Sequence, residues 1–151
     1  MSIHAGKVRQ EKLILLLALY TLRKKFGFSV VTKDHALRFI AKKNLMTIPL
    51  DELGKRTGPE AIWENDLAWR RKDLVESGLM TYRPKNEWEI SAKGMGVVEA
   101  CASKVEEAIA QGLTWNEVFA SEPEDEIYWN AKTIEALLAI SRRCDVHERV
   151  A

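Results

Sequence analysis

Between Pro59 and Ser77 the chain places Asn65, Trp69 and Lys72 at spacings of four and three residues. On a helix, at about 100° per residue, that spacing gathers all three on one side together with Glu76. Ala68 lies at the edge of that side. Trp63, Leu67, Arg70, Leu74 and Gly78 gather opposite, with Arg71 nearer to them, and Leu67 and Leu74 read as core positions. An asparagine near a helix N-terminus can pair with the edge of adenine, and Arg or Lys suits guanine or a phosphate oxygen. The Trp69 indole would stack on a base or sugar, touch a methyl group, or instead pack beneath a neighbouring element. Asn65 has its own plainer alternative, a hydrogen bond to nearby backbone.

Arg83 and Lys85 lie at the hairpin turn around Pro84-Lys85-Asn86, where a cation would either meet phosphate or be solvated. Lys33, Arg38, Lys42, Lys43, Lys55 and Arg56 would extend a phosphate-binding rim. Glu64, Asp66, Asp73 and Glu76 oppose this reading, because carboxylates repel phosphate unless paired. Asp66 with Arg70 and Lys72 with Glu76 have pairing distance along a helix; Glu64 and Asp73 have no such partner within it. A protein partner is therefore the rival to a nucleic acid.

These residues need a frame, and the pattern supplies one. Val8 to Phe26 reads as a helix whose apolar positions (Leu13, Leu15, Leu16, Leu17, Leu19, Tyr20, Leu22) cover so wide an arc that it must pack on more than one side. Gly27 ends it. Phe28 to Val31 has the content of a short strand. Thr32 caps a second helix from Lys33 to Lys43, with Ala36, Leu37, Ile40 and Ala41 inward. Leu45 to Arg56 is irregular. Thr57 and Glu60 have capping-box spacing, and Pro59 suits a first turn, which predicts a third helix from Pro59 to Ser77 that stops at Gly78. Leu79 to Arg83 and Glu87 to Ile90 then read as a β-hairpin. Ser91 caps a fourth helix running to Gln111, which Gly112 ends. Thr114 to Glu117 offers another capping box, Ser121 to Asp125 an acidic linker, and Glu126 to Cys144 a last amphipathic helix.

Helix, strand, helix, helix, hairpin is the winged helix-turn-helix order, in which the third helix would lie in the major groove. The fold class expected is mainly α with a small β-hairpin. Residues 8–94 would form the winged-helix domain and 95–151 a C-terminal helical extension. That extension, with Trp115, Phe119, Tyr128 and Trp129, would either pair with a second copy as a homodimer or cap the monomer's own core.

The charge distribution agrees with a polyanion on one side. Through Lys93 there are 18 Lys and Arg against 11 Asp and Glu, a net +7; Gly94 to Ala151 carries 5 against 11, a net −6. Hydrophobic residues at 46% and charged residues at 30% suit a globular chain and exclude disorder. The longest apolar run, Leu13 to Tyr20, is too short to span a bilayer, so no membrane partner is expected. Without a secretory signal, a cytoplasmic location is expected, with Cys101 and Cys144 reduced. His4, His35 and His147 are dispersed, so neither a metal nor another cofactor is expected. Gly94-Met95-Gly96 is far from a phosphate loop, and no nucleophile arrangement stands out. The expectation is a protein that binds rather than catalyses.

Trp63-Glu64-Asn65-Asp66-Leu67-Ala68-Trp69, then Asp73-Leu74 and Gly78-Leu79, resembles the N-terminal winged-helix domain of Mrr-type modification-dependent restriction enzymes. Trp88-Glu89-Ile90-Ser91-Ala92-Lys93-Gly94 is similar to that family's second wing strand and the helix after it. The resemblance covers Leu45 to Gly94 well and the first two helices loosely. It implies a grip on double-stranded DNA, in a transcriptional regulator or a recognition component of a restriction or defence system. Those enzymes carry a separate nuclease domain, for which these 151 residues leave no room. Gln10-Glu11-Lys12 matches part of a nuclease motif in letters only, with no upstream Asp.

Overall fold

The computed structural model describes residues 3–46, 56–57, 60–84, 86–112 and 131–150. It is mainly helical, with a small three-stranded antiparallel sheet. Helix α1 (Ile3–Phe26) forms the axis of the core: Ile14 to Tyr20 and Leu22 are all buried, on every side of the helix. Such all-round burial needs neighbours all round. These are α2 (Lys33–Lys42), α3 (Ile62–Glu76), α4 (Ala92–Ala110) and the strand β5 (Glu87–Ile90). At about 1.5–3 kcal/mol per buried aliphatic side chain, this one helix anchors much of the fold.

Between α1 and α2 lies β1 (Val31–Thr32), shorter than and displaced from the expected Phe28–Val31 strand. Gly27 takes φ +78°, and the Phe28 N–H donates to the Leu22 carbonyl at 2.9 Å, so Phe28 belongs to the helix terminus rather than to a strand. Its ring packs edge-on against His35. Thr32 caps α2 as expected, its hydroxyl accepting from the His35 N–H at 3.1 Å.

The region before α3 differs from the sequence expectation. Arg56–Thr57 forms β2 and Glu60–Ala61 forms β3, paired antiparallel with Thr57 opposite Glu60, and α3 starts only at Ile62. Thr57 and Glu60 thus face each other across a ladder instead of closing a capping box. The same letters serve both geometries, because small polar residues around Gly-Pro favour turns as readily as helix starts.

Gly78, at φ +79°, ends α3, and β4 (Met80–Thr81) pairs with β5 in the register Met80–Ile90 and Thr81–Glu89. The central strand β5 also takes β1, Val31 opposite Trp88, giving the order β1-β5-β4. Trp88 and Ile90 point into the core while Glu87 and Glu89 face outward, the period of two that a one-sided sheet requires. Ser91 caps α4 as its position predicts, accepting from the Gly94 N–H at 3.0 Å.

The final helix, α5 (Ala131–Val150), lies against α4 and inserts Ile134, Leu137 and Ile140 into the same core. The buried Thr133 hydroxyl donates to the Leu45 carbonyl at 2.6 Å, tying α5 to the end of α2. Ile134, Leu137 and Ile140 thus cap the chain's own core. Trp115, Phe119, Tyr128, Trp129, the 114–117 capping box and the 121–125 linker lie outside the described residues.

Cys101 sits half-buried on α4, and burial pushes its thiol up to about 12, against a smaller downward pull from Lys104. The fold therefore favours the protonated form. That contribution is fully present below the ordinary value of 9.0 and is lost as pH rises from there through about 12. Site-resolved alkylation at pH 8 should find Cys101 roughly a hundredfold slower in the folded chain than in urea. Equal rates would mean that this thiol is not shielded.

Candidate nucleic-acid interface

Two elements bring the proposed contact residues together. Helix α3 turns Leu67 and Leu74 fully inward, which leaves Asn65, Trp69, Lys72 and Glu76 exposed on its outer side. Ala68 and Arg71 lie at the margin, and Trp63 is partly buried against the core. The periodicity of the helix thus sorts its residues as the sequence predicts. Trp69 keeps 55% of its surface in solvent, so it does not pack under the hairpin. The Lys72 ammonium lies 5.6 Å from the centre of its ring, a cation–π contact that holds the two side chains beside one another.

The opposite face is fixed by a buried ion pair that sequence reasoning missed. Arg70 reaches across to Glu11 on α1 (3.7 Å), whose carboxylate is nearly fully buried, and also pairs with Asp73 at 3.1 Å. Asp73 therefore has a partner three residues back in its own helix, contrary to the expectation that it had none. The Gln10-Glu11 letters are likewise structural: both side chains are buried in α1. Removing one member of so buried a pair would leave an uncompensated charge.

Arg71 does something other than await a phosphate. Its guanidinium donates to the Arg83 carbonyl at 2.7 Å and to the Glu87 carbonyl at 3.5 Å, spanning both sides of the hairpin turn. The same group lies 6.0 Å from the Tyr82 ring centre. Arg71 is a bolt between α3 and the hairpin, and it fixes the angle at which the two meet. Arg83 is paired with Glu87 at 3.5 Å and Glu89 at 3.6 Å, the two carboxylates that the β5 alternation sends outward. Its charge is therefore partly neutralised before any ligand arrives.

Tyr82, which sequence reasoning passed over, is 75% exposed at the base of the turn. The pairing of β4 stops at Thr81, so the alternation that would have assigned Tyr82 a face ends one residue before it. Asn86 completes the turn at φ +59°, a left-handed conformation that Asn tolerates. Lys85 and Lys55 lie outside the described residues, as does the side chain of Arg56 on β2.

Arg38, Lys42 and Lys43 are exposed on α2 or at its end and Lys33 is half-exposed at its start. Lys43 turns toward α5, where it lines a cavity with Lys132. Among the described residues no group of three or more His, Cys, Asp or Glu is placed to hold a metal ion, and no helix is long and apolar enough to cross a membrane. No protein-family model, curated protein or solved structure matches the chain.

Proposed function

We propose that residues 8–94 form a winged helix-turn-helix that grips double-stranded DNA, with α3 entering the major groove and the β4–β5 hairpin lying along the adjacent backbone. The observation that carries this reading is the exposed row Asn65, Trp69 and Lys72, held beside an exposed hairpin by the Arg71 bolt. A helix that enters a groove must present polar and flat side chains outward and keep a rigid angle to its neighbour. The element order, the strand order β1-β5-β4 and the basic front half support the same reading. So do the α3 and β5 sequences that resemble Mrr-type N-terminal domains. On this reading Lys72 and the α2 cations meet phosphate, Asn65 reads a base edge, and Trp69 and Tyr82 supply apolar contact.

The protein would act in the cytoplasm by binding and not by catalysis, as a regulator or as the recognition part of a restriction or defence system. Two copies paired through their C-terminal helices would set two reading helices on one face of a duplex. Because α5 buries Ile134, Leu137 and Ile140 in its own core, such pairing must use other surface of α4 and α5.

A second reading, a protein-docking module on the same scaffold, is favoured by one observation. Arg83 is already paired with Glu87 and Glu89, beside two large exposed aromatics, an arrangement that also suits a peptide. Fluorescence anisotropy with a labelled duplex of about 30 base pairs separates the two. The DNA reading predicts binding whose logarithmic salt slope is several units, at about 0.9 per neutralised phosphate. No binding at about 20 mM salt would favour the protein partner.

A further inference from the structure

The described residues line a second, open concavity away from the α3 row. The C-terminal ends of α1 and α2 and the start of α5 converge on a cavity of about 300 Å³, near the lower end of the range that small-molecule sites occupy. Lys25, Lys43 and Lys132, one from the end of each element, ring it, and Glu135 is the one carboxylate in the lining. Glu135 is engaged by Lys132 at 3.6 Å, so Lys25 and Lys43 remain in excess over negative charge. The wall between them is aromatic. Phe26 and Phe39 meet edge to face, with ring centres 6.1 Å apart and planes at 76°. Phe26 leaves 47% of its surface in solvent.

Cations at helix C-termini offset the helix dipole, and that explains Lys25 and Lys43 singly. It does not explain why a lysine from a third helix, 89 residues beyond Lys43, joins them around one exposed ring, Phe26, and one half-buried ring, Phe39. We propose that this cavity is a binding site for a small organic anion with a flat aromatic body, the ring seated against Phe26 and Phe39 and the anionic group held by Lys25, Lys43 and Lys132. The ring would add a third member to an edge-to-face pair, and the anionic group would replace solvent around Lys25 and Lys43, the charges in excess of Glu135. The site rests on the cavity alone and is independent of what α3 binds. It also assigns Lys43 to this ligand instead of to a phosphate rim.

The test is titration calorimetry of the full chain with 2-naphthoate and with its neutral counterpart 2-naphthylmethanol. The expected result is saturable binding of the naphthoate with a dissociation constant below about 1 mM, and binding of the alcohol about tenfold weaker or more. Lys43→Gln combined with Lys132→Gln should weaken the naphthoate about tenfold while leaving the alcohol unchanged, and Lys72→Gln on α3 should change neither. Both cavity lysines are exposed, so the double variant keeps the core intact; matching thermal unfolding of the variants checks this. Phe39→Leu should weaken both ligands. Equal affinity for acid and alcohol, binding insensitive to the lysine pair, or no binding up to about 5 mM would each overturn the proposal.

Discussion

Replacing Gly94 with alanine should lower the stability of the fold by about 3 kcal/mol, at the upper end of the usual range for overpacking. A methyl group at that position would overlap the Leu79 carbonyl oxygen and come within 2.8 Å of Ile90 Cγ1. Neither neighbour can yield cheaply. The Leu79 carbonyl accepts the Ser91 N–H at 3.1 Å, Ser91 is the α4 cap, and Ile90 is 1% exposed in the paired central strand. The bare backbone of Gly94 is what lets α4 start directly beneath the hairpin, so the substitution should also tilt the hairpin relative to α3. For a chain of this size, about 3 kcal/mol corresponds to a fall in Tm of roughly 6–12 °C. Gly96, two residues along the same helix, has no atom within 4 Å of the equivalent methyl position. Gly96→Ala should instead raise stability by about 0.5–1 kcal/mol, the helix-propensity gain. Opposite signs in denaturant unfolding are the expected outcome; equal effects would mean that α4 does not pack against Leu79 as described.

The second large effect should fall on binding and leave stability alone. Trp69→Ala removes a ring whose exposed half is worth about 2 kcal/mol if a ligand covers it, or roughly thirtyfold in dissociation constant. The ring contributes little to the core, being 55% exposed, so Tm should move by no more than a few degrees. Lys72→Ala should weaken binding to all duplexes alike and reduce the salt slope by about one, whereas Asn65→Ala should change which sequence is preferred. Unchanged duplex affinity in Trp69→Ala would remove the helix row from the interface.

Much of this frame was legible in the residues because it is set by local chemistry. Thr32 and Ser91 announce helix starts by what their hydroxyls can accept, and Gly27, Gly78 and Gly112 mark helix ends because each takes a positive φ. The wide arc of leucines in α1 requires burial on all sides, and the spacing of Leu67 and Leu74 orients α3 and so exposes Asn65, Trp69 and Lys72. What escaped the sequence is non-local. The partner of Arg70 lies 59 residues earlier at Glu11, and the carbonyls that Arg71 holds belong to a turn whose position relative to α3 no spacing rule supplies. Arg83 looked like a free cation because its two carboxylates come within reach only after β5 folds back. The β2–β3 pair was hidden behind letters that also spell a helix cap.

A DNA-binding role for α3 depends most directly on where a duplex touches the protein. Amide and indole chemical shifts of the ¹⁵N-labelled chain, followed as a duplex is added at low salt, locate that contact. The predicted result is a set of saturable shifts confined to Asn65–Lys72, the Tyr82–Glu87 turn and the cation-bearing positions of α2, reversed by added salt. Shifts confined to α4 and α5, or none anywhere, would contradict it.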